Sequence, residues 1–463
     1  MTPLFTAATY TERRQKLAQA IGDGIILLPG NTDIGMNYAD NVYHFCQDSC
    51  FRYFFGLDQP NLVGIIDAST GKSILFGDDT TLDMIIWTGP TDLLADLGTE
   101  IGVTDIRPYA AVADFLSNQT KTHYLPPYRG IQQVYLAEWL SISIQELGKG
   151  ASQALIEAII AQRSYKSVDE LEQLHEAVQV THDMHLAAMR SARPGMRESD
   201  VMAEAYRAAL QADTHPSFPI ILTKHGETLH NHHYHHTLAD GDLVLCDAGG
   251  YSPMRYAGDM TRTFPAGKRF SQQQAEVYQI ALDANMAAIQ ALKPGVPYRD
   301  IHLLSCRVIT EGLQALGLMK GDTEASMAAG AHALFFPHGL GHMMGLDVHD
   351  MENLGEDRVG YTEKIRRSSQ FGLRSLRLGR ELEPGFVLTV EPGIYFIPAL
   401  IDRWAQEAKW HEFVDFEALK VYRSFGGIRI EDDYVITTEG AELLGPPVPK
   451  TIAEVEAVRG ESA

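Results

Sequence analysis

The sequence is poor in cysteine and in positive charge. Four cysteines (Cys46, Cys50, Cys246, Cys306) stand among 463 residues, too few for a disulfide scaffold and in keeping with buried, reduced thiols. Cys46 and Cys50 lack zinc-finger spacing and a second pair. Lys and Arg number 38 against 60 Asp and Glu, a net charge of −22. That balance argues against nucleic acid or an anionic membrane as partner. It leaves room for a small anionic substrate met by locally placed arginines. No apolar run approaches the ~18 residues that span a bilayer. The N-terminus, MTPLFTAATYTERRQKL, has no apolar segment leading to small residues, so no signal peptide is read and a cytoplasmic protein is expected. No Pro-rich or low-complexity linker is present.

What is there is a long chain with ordinary apolar content, 45%, enough for two or three domains at ~150 residues each. Residues 1–155 read as a mixed α/β domain and 156–463 as a second domain, the join falling near 155–165. In the first, TERRQKLAQAI predicts a helix with Thr11 as cap. GIILLPG predicts a buried strand, and LVGIID-ASTGK-SILFGD a hairpin. In the second, Ser167 and Glu170 form a capping box ahead of a helix running to about Arg190, and Ser271 and Gln274 another. The two helices end at Arg193-Pro194-Gly195 and Lys293-Pro294-Gly295, an offset of 100 residues. Each turn precedes a further helix, then a strand-like piece ending in histidines (FPIILTKHGETLH and ALFFPHGLGH). The pattern predicts a duplicated α+β unit whose strands meet in one sheet.

Five segments place acids or histidines inside apolar strands, where an unpaired charge is costly. DLVLCDAGG carries Asp247, and YAGDMTRTF carries Asp259 twelve residues on. A hairpin would set these carboxylates side by side, where they repel unless protonated or bridged by cations. FFPHGLGHMMGLDVHD carries His338, His342 and His349. FVLTVEPGIYF carries Glu391, which a packed strand has no use for. GGIRIEDDYVIT carries Arg429 and Glu431, two apart and so on one strand face. Four carboxylates and an imidazole form a hard, oxygen-rich set suited to Mn²⁺, Co²⁺, Fe²⁺ or Zn²⁺. Two such ions could hold a bridging hydroxide and polarise a carbonyl, which is metal-assisted hydrolysis. The densest histidine segment, HGETLHNHHYHH (225–236), reads as a loop with at most one functional histidine.

At these residues the sequence resembles the proline-specific metallopeptidases of the pita-bread fold, the Xaa-Pro aminopeptidases and prolidases, over nearly its whole length. The resemblance implies an α+β pita-bread catalytic domain behind a smaller creatinase-like N-terminal domain that mediates dimerisation. It implies two divalent metal ions, Mn²⁺ foremost, on Asp247, Asp259, His342, Glu391 and Glu431. It gives Glu391 as general base, His338 and His349 as contacts for substrate or the tetrahedral intermediate, and His230 of T-L-H-N as a pocket residue. The usual Tyr after that His is Asn231 here. Arg429 is expected to orient the neighbouring ligand or contact substrate. The Asp-to-Asp spacing exceeds the family's by one residue, which places an insertion or bulge in the YSPMRY turn. FGLRSLRLGRELEPG offers Arg374, Arg377, Arg380 and Glu381 near a substrate carboxylate. The R-S-L-R form resembles prolidases, in which Arg377 would clamp the prolyl carboxylate bidentately. The implied substrate is a small Xaa-Pro peptide, and the implied assembly a homodimer. Xaa-Pro aminopeptidase action on longer peptides is the alternative. A non-catalytic pita-bread binding protein, or a metal-free amidinohydrolase, is a remoter one, since such lineages usually lose ligands that are all present here.

Overall fold

In the computed structural model, residues 4–461 are described. The chain forms two compact units that divide after Arg163, with 351–355 grouped with the first.

The first unit is built on a mixed five-stranded sheet. Its order is Asp105–Arg107, Ser73–Phe76, Val63–Asp67, Ile25–Pro29, Thr122–His123. The expected hairpin is there: Val63–Asp67 runs antiparallel to Ser73–Phe76. Gly71, at φ 72°, supplies the left-handed residue its turn requires. Ile25, Leu27, Val63, Ile65 and Phe76 project into one apolar core. The first helix corrects the sequence reading. It spans Ala7–Ile21, and Thr6, not Thr11, caps it by accepting from the Thr9 amide. Helix-compatible residues run back past Thr11, so the cap moves to the first hydroxyl before them. Cys46 is exposed, against expectation, while Cys50, Cys246 and Cys306 are buried.

The second unit shows the internal repeat in atomic detail. Helices Val168–Ser191 and Gln272–Ala291 both open on capping boxes. They are followed by Glu198–Gln211 and Tyr298–Ala315. The Gly195 amide donates to Leu238 O and the Gly295 amide to Leu382 O, both at 2.8 Å. Bridges Arg197↔Thr237 and Pro297↔Glu381 repeat the same stitch.

The strands depart from the single sheet expected. One three-stranded sheet holds Ile221–Thr223, Leu243–Ala248 and Met260–Pro265. Another holds Val387–Val390, Asp432–Ile436 and Ala441–Leu443, and a two-stranded ribbon pairs Gly393–Tyr395 with Gly427–Arg429. At the seam between halves, side chains replace the ladder. The Thr263 hydroxyl bonds both the amide and the carbonyl of Arg429, at 3.1 Å each. The Glu431 amide reaches across to backbone, at Thr261 O, 3.1 Å.

The ALFFPHGLGH segment also differs from its expected strand. It forms a short 3₁₀ turn, Ala331–Leu334, and then an irregular stretch. The Tyr395, Glu391 and Thr389 amides donate to Phe335, Leu340 and His342 carbonyls along it. Pro337 lacks an amide hydrogen, and at Gly341 a Cβ would fall 2.1 Å from Thr389 O. The segment therefore lies against its neighbour without forming a regular ladder.

Candidate metal centre

The two-strand hairpin carries the first pair of carboxylates. Asp247 sits opposite Thr261, and Ala248 opposite Met260. Asp259 thus lies diagonal to Asp247 on the same face. The register continues unbroken through Tyr251↔Ala257, and the Ser252 amide donates to Tyr256 O. The expected irregularity is confined to the tip, where Arg255 takes φ 65°.

The second half supplies the rest. Glu391 follows strand Val387–Val390, and Glu431 sits at the seam. His342 is held with its amide on Thr389 Oγ1 at 3.2 Å. Its Nδ1 lies 3.1 Å from Met343 O. That contact assigns the proton to Nδ1 and turns an unprotonated Nε2 toward Asp259 Oδ2 at 3.3 Å and Glu391 Oε1 at 3.7 Å. This is the tautomer a metal-binding imidazole needs. One ligand atom each from Asp259, His342 and Glu431 lies within 4.8 Å of the other two.

The electrostatics call for cations. Burial, and then the charge of Asp247, push the Asp259 carboxyl well above its ordinary range. Burial, then Asp259 and Glu391, do the same to Glu431. Glu391 is pushed up to about 8, chiefly by burial. Arg429 opposes several of these acids, joined by Arg377 at Glu391 and His349 at Asp259; Arg429 Nη2 donates to Asp247 Oδ2. The other oxygen, Asp247 Oδ1, is buried and has no hydrogen-bond partner among the described residues. A hard donor set, an orphaned carboxylate oxygen and an unprotonated imidazole nitrogen together fit divalent metal.

Around these, the Thr261 hydroxyl donates to Glu431 Oε2 at 2.6 Å and accepts from Arg429 Nε at 2.9 Å. Arg429 Nη1 donates to the Tyr395 hydroxyl at 2.9 Å, and His338 Nε2 lies 2.8 Å from the same oxygen. His338 Nδ1 lies 2.8 Å from Gly339 O. Those partners make Nδ1 the donor and Nε2 the acceptor of the Tyr395 proton. Burial lowers the His338 pKa to about 3, consistent with a neutral ring. The Asp259 amide donates to Asp433 Oδ2 at 3.1 Å.

Arg429 is therefore turned to a carboxylate and its supports. His349 packs against His342, ring centroids 4.2 Å apart and planes tilted by 60°. His230 is exposed on its loop. Its pKa is lowered, mainly by partial desolvation, and it feels Asp247, Arg429 and Arg377. Asn231 is buried and donates to Thr223 Oγ1. Among the other histidines of that loop, His225 pairs with Glu227 at 3.1 Å and His236 with buried Glu198 at 3.0 Å.

Of the candidate arginines, Arg377 is half-buried, and its charge acts on His230, His338 and Glu391. Arg374 lies over Phe371. Arg380 lies over Phe386 and pairs with Glu383. Glu381 pairs by backbone with Pro297.

The sequence reading missed Thr261, Tyr395 and Asp433. A period-two signal was available for the first two. Thr261 alternates with Asp259 on one strand face, and Tyr395 stands four residues after Glu391 in V-E-P-G-I-Y.

An α+β unit with a clustered acid–imidazole site is the architecture of a metal-dependent hydrolase, and the known proteins say which. The chain belongs to metallopeptidase family M24, whose pattern matches residues 172–438, and its residues 10–125 match the aminopeptidase P N-terminal domain. Within that family it falls among the Xaa-Pro peptidases. It is 34% identical over 457 residues to the Xaa-Pro dipeptidase of Homo sapiens, covering 96% of this chain and 90% of that one. It is 32% identical over 472 residues to the Xaa-Pro aminopeptidase of Escherichia coli, covering 97% of each. Zinc-substituted E. coli aminopeptidase P in complex with product superposes with a TM-score of 0.81 at 30% identity, over 100% of both chains. The pita-bread catalytic domain and its N-terminal companion, expected from the motifs, are thereby established.

Proposed function

We propose that this chain hydrolyses the Xaa-Pro imide bond, with dipeptides preferred, using two divalent ions on Asp247, Asp259, His342, Glu391 and Glu431. The ions, Mn²⁺ foremost, would supply an activated water and polarise the scissile carbonyl. Glu391 is the partly exposed carboxylate of the set, its side chain 18% accessible against 7% for Asp259. It is placed to take a proton from water as general base. Tyr395 and Gly339 hold the His338 ring beside Glu391, Nδ1 to Oε2 at 3.7 Å. His338, His230 and His349 would stabilise the charge that gathers on substrate oxygen. Proline has no amide hydrogen and a fixed φ, so a pocket for its ring must replace the register that ordinary peptidases read.

Arg377 carries the preference for dipeptides. Of the three arginines before the V-E-P-G strand, it is the one whose charge reaches Glu391 and His338. Cleavage of Ala-Pro is compared with that of Ala-Pro-Ala, with Mn²⁺ supplied. Arg377→Ala is expected to raise KM for the dipeptide at least tenfold and to spare the tripeptide. Wild-type protein that cleaves the tripeptide more efficiently would make the chain an Xaa-Pro aminopeptidase instead.

The proposed assembly is a homodimer formed through the N-terminal unit. Helix Leu82–Thr88 buries none of its side chains, and Trp87 is 85% exposed. Such an apolar face calls for a protein partner. Light scattering should give twice the chain's 51.2 kDa, and a monomer mass would refute it. No helix among the described residues is long and apolar enough to cross a membrane.

A further inference from the structure

Beneath the Asp247–Asp259 hairpin lies a histidine that the chemistry above does not use. His185 is in the middle of helix Val168–Ser191 and is fully buried. Its Nε2 is 3.1 Å from Ala248 O and 3.0 Å from Met260 O. Both neighbours are acceptors, so Nε2 carries the proton and shares it between them. Ala248 and Met260 face each other across the hairpin. Each is the residue immediately after one of the two aspartates. Nδ1 has no partner among the described residues, so the ring's polar contacts go to these two strands alone. Burial depresses the pKa to about 4, which leaves the ring neutral with a single N–H.

The same helix face grips the hairpin once more, a turn earlier. The Thr181 hydroxyl accepts from the Gly250 amide at 2.9 Å while donating to Ala177 O at 2.8 Å. The approach is close enough that a Cβ on Gly258 would meet Thr181 Oγ1 at 2.3 Å. Beyond Ala248↔Met260 the regular ladder stops and the glycines begin. Past that point pairing continues with fewer bonds: the Gly258 amide donates to Gly250 O at 2.9 Å, but the Gly250 amide turns away to Thr181. The His185 donor, spanning both strands, reinforces the pairing where it thins.

We propose that His185 is a positioning residue which, by bridging the Ala248 and Met260 carbonyls, sets the spacing of the Asp247 and Asp259 carboxylates and so the affinity of the site for divalent metal. A core histidine satisfied for packing alone needs one acceptor. This one takes its acceptors from both strands, each beside a carboxylate. The inference rests on Asp247 and Asp259 being metal ligands, as proposed above.

Three substitutions test it. In His185→Gln the amide nitrogen reaches about as far as Nε2 and offers two N–H groups. His185→Asn is polar but too short, and His185→Leu fills the space without a donor. Metal affinity is read by competition for Mn²⁺ or Co²⁺ against a chelator, beside the thermal midpoint of the metal-free protein. The Gln variant should bind within about threefold of wild type. Asn and Leu should weaken binding about 10–100-fold, the range found for groups that orient metal ligands. Peptide KM at saturating metal should stay within about twofold in all three. An Asn or Leu variant that folds and keeps wild-type affinity would overturn the proposal, as would a Gln variant as impaired as Leu. If Leu does not fold, Gln against Asn decides by the same criterion. A wild-type protein that binds no divalent metal, or an Asp259→Asn variant that binds it unchanged, would sink the ligand assignment instead.

Discussion

Replacing Thr261 by valine removes one oxygen and almost no volume, yet it should disable the centre. That hydroxyl donates to Glu431 Oε2 at 2.6 Å and accepts from Arg429 Nε at 2.9 Å. All three residues are buried. In the metal-free protein Glu431 is held well above the ordinary carboxyl range, chiefly by burial, so its bond is between neutral groups and worth about 0.5–1.5 kcal/mol. The bond from the guanidinium is worth about 1.5–3 kcal/mol. Their loss gives about 2–4.5 kcal/mol, or a thermal midpoint about 3–7 °C lower at about 2.1 cal/mol/K of unfolding entropy per residue over the roughly 300 residues of the second unit. With metal supplied, Glu431 must be ionised and aimed, and its missing donor should cost about 10–100-fold in metal affinity. Thr261→Ser keeps the hydroxyl and serves as control, within about threefold of wild type. Calorimetry of the metal-free proteins and chelator competition with Mn²⁺ read the two effects. A valine variant with the wild-type competition curve would refute the claim that this hydroxyl aims Glu431.

Two further outcomes follow from the same cluster. Asp259, Glu391 and Glu431 all have raised pKa values, burial being the largest cause in each, and Glu391 titrates near 8 rather than 4.5. The folded metal-free protein therefore holds more protons than the unfolded chain between those values, so its stability should fall as pH rises through that window. Divalent metal should flatten the slope and release protons on binding. Melting curves at several pH values, with and without Mn²⁺, check this, and a metal-free midpoint that climbs with pH would contradict it. Tyr395→Phe removes the O–H that His338 Nε2 accepts and the oxygen that Arg429 Nη1 donates to. At about 0.5–1.5 kcal/mol for the neutral bond, kcat should fall about 2–12-fold with metal affinity nearly unchanged; unaltered kcat would remove Tyr395 from any catalytic support.

The proposed ligands were legible in the sequence because a carboxylate inside a run of β-formers has no packing rationale. Glu391 in V-L-T-V-E-P-G is the clearest case. The helix starts at Ser167 and Ser271 were legible for a similarly local reason, a hydroxyl three residues before an acid or amide. What stayed hidden depends on distant partners. Thr261 and Tyr395 look like ordinary strand residues until Glu431, Arg429 and His338 are brought beside them. His185 looks like any helix histidine until two carbonyls some sixty and seventy-five residues away converge on its nitrogen. The missing strand at ALFFPHGLGH shows the opposite error: apolar β-formers suggest pairing, but Pro337, Gly339 and Gly341 deny a regular ladder. The helix cap at Thr6 was missed because apolar periodicity locates a buried face better than it locates an end.

The seam between the two repeats has a mechanical consequence. Asp247 and Asp259 come from the earlier repeat, His342, Glu391 and Glu431 from the later one, and backbone bonding between the halves thins out where they meet. Ions lodged there would act as rivets, so prying the halves apart should take more force when the rivets are in. Neither half, expressed by itself, would own enough ligands to retain them.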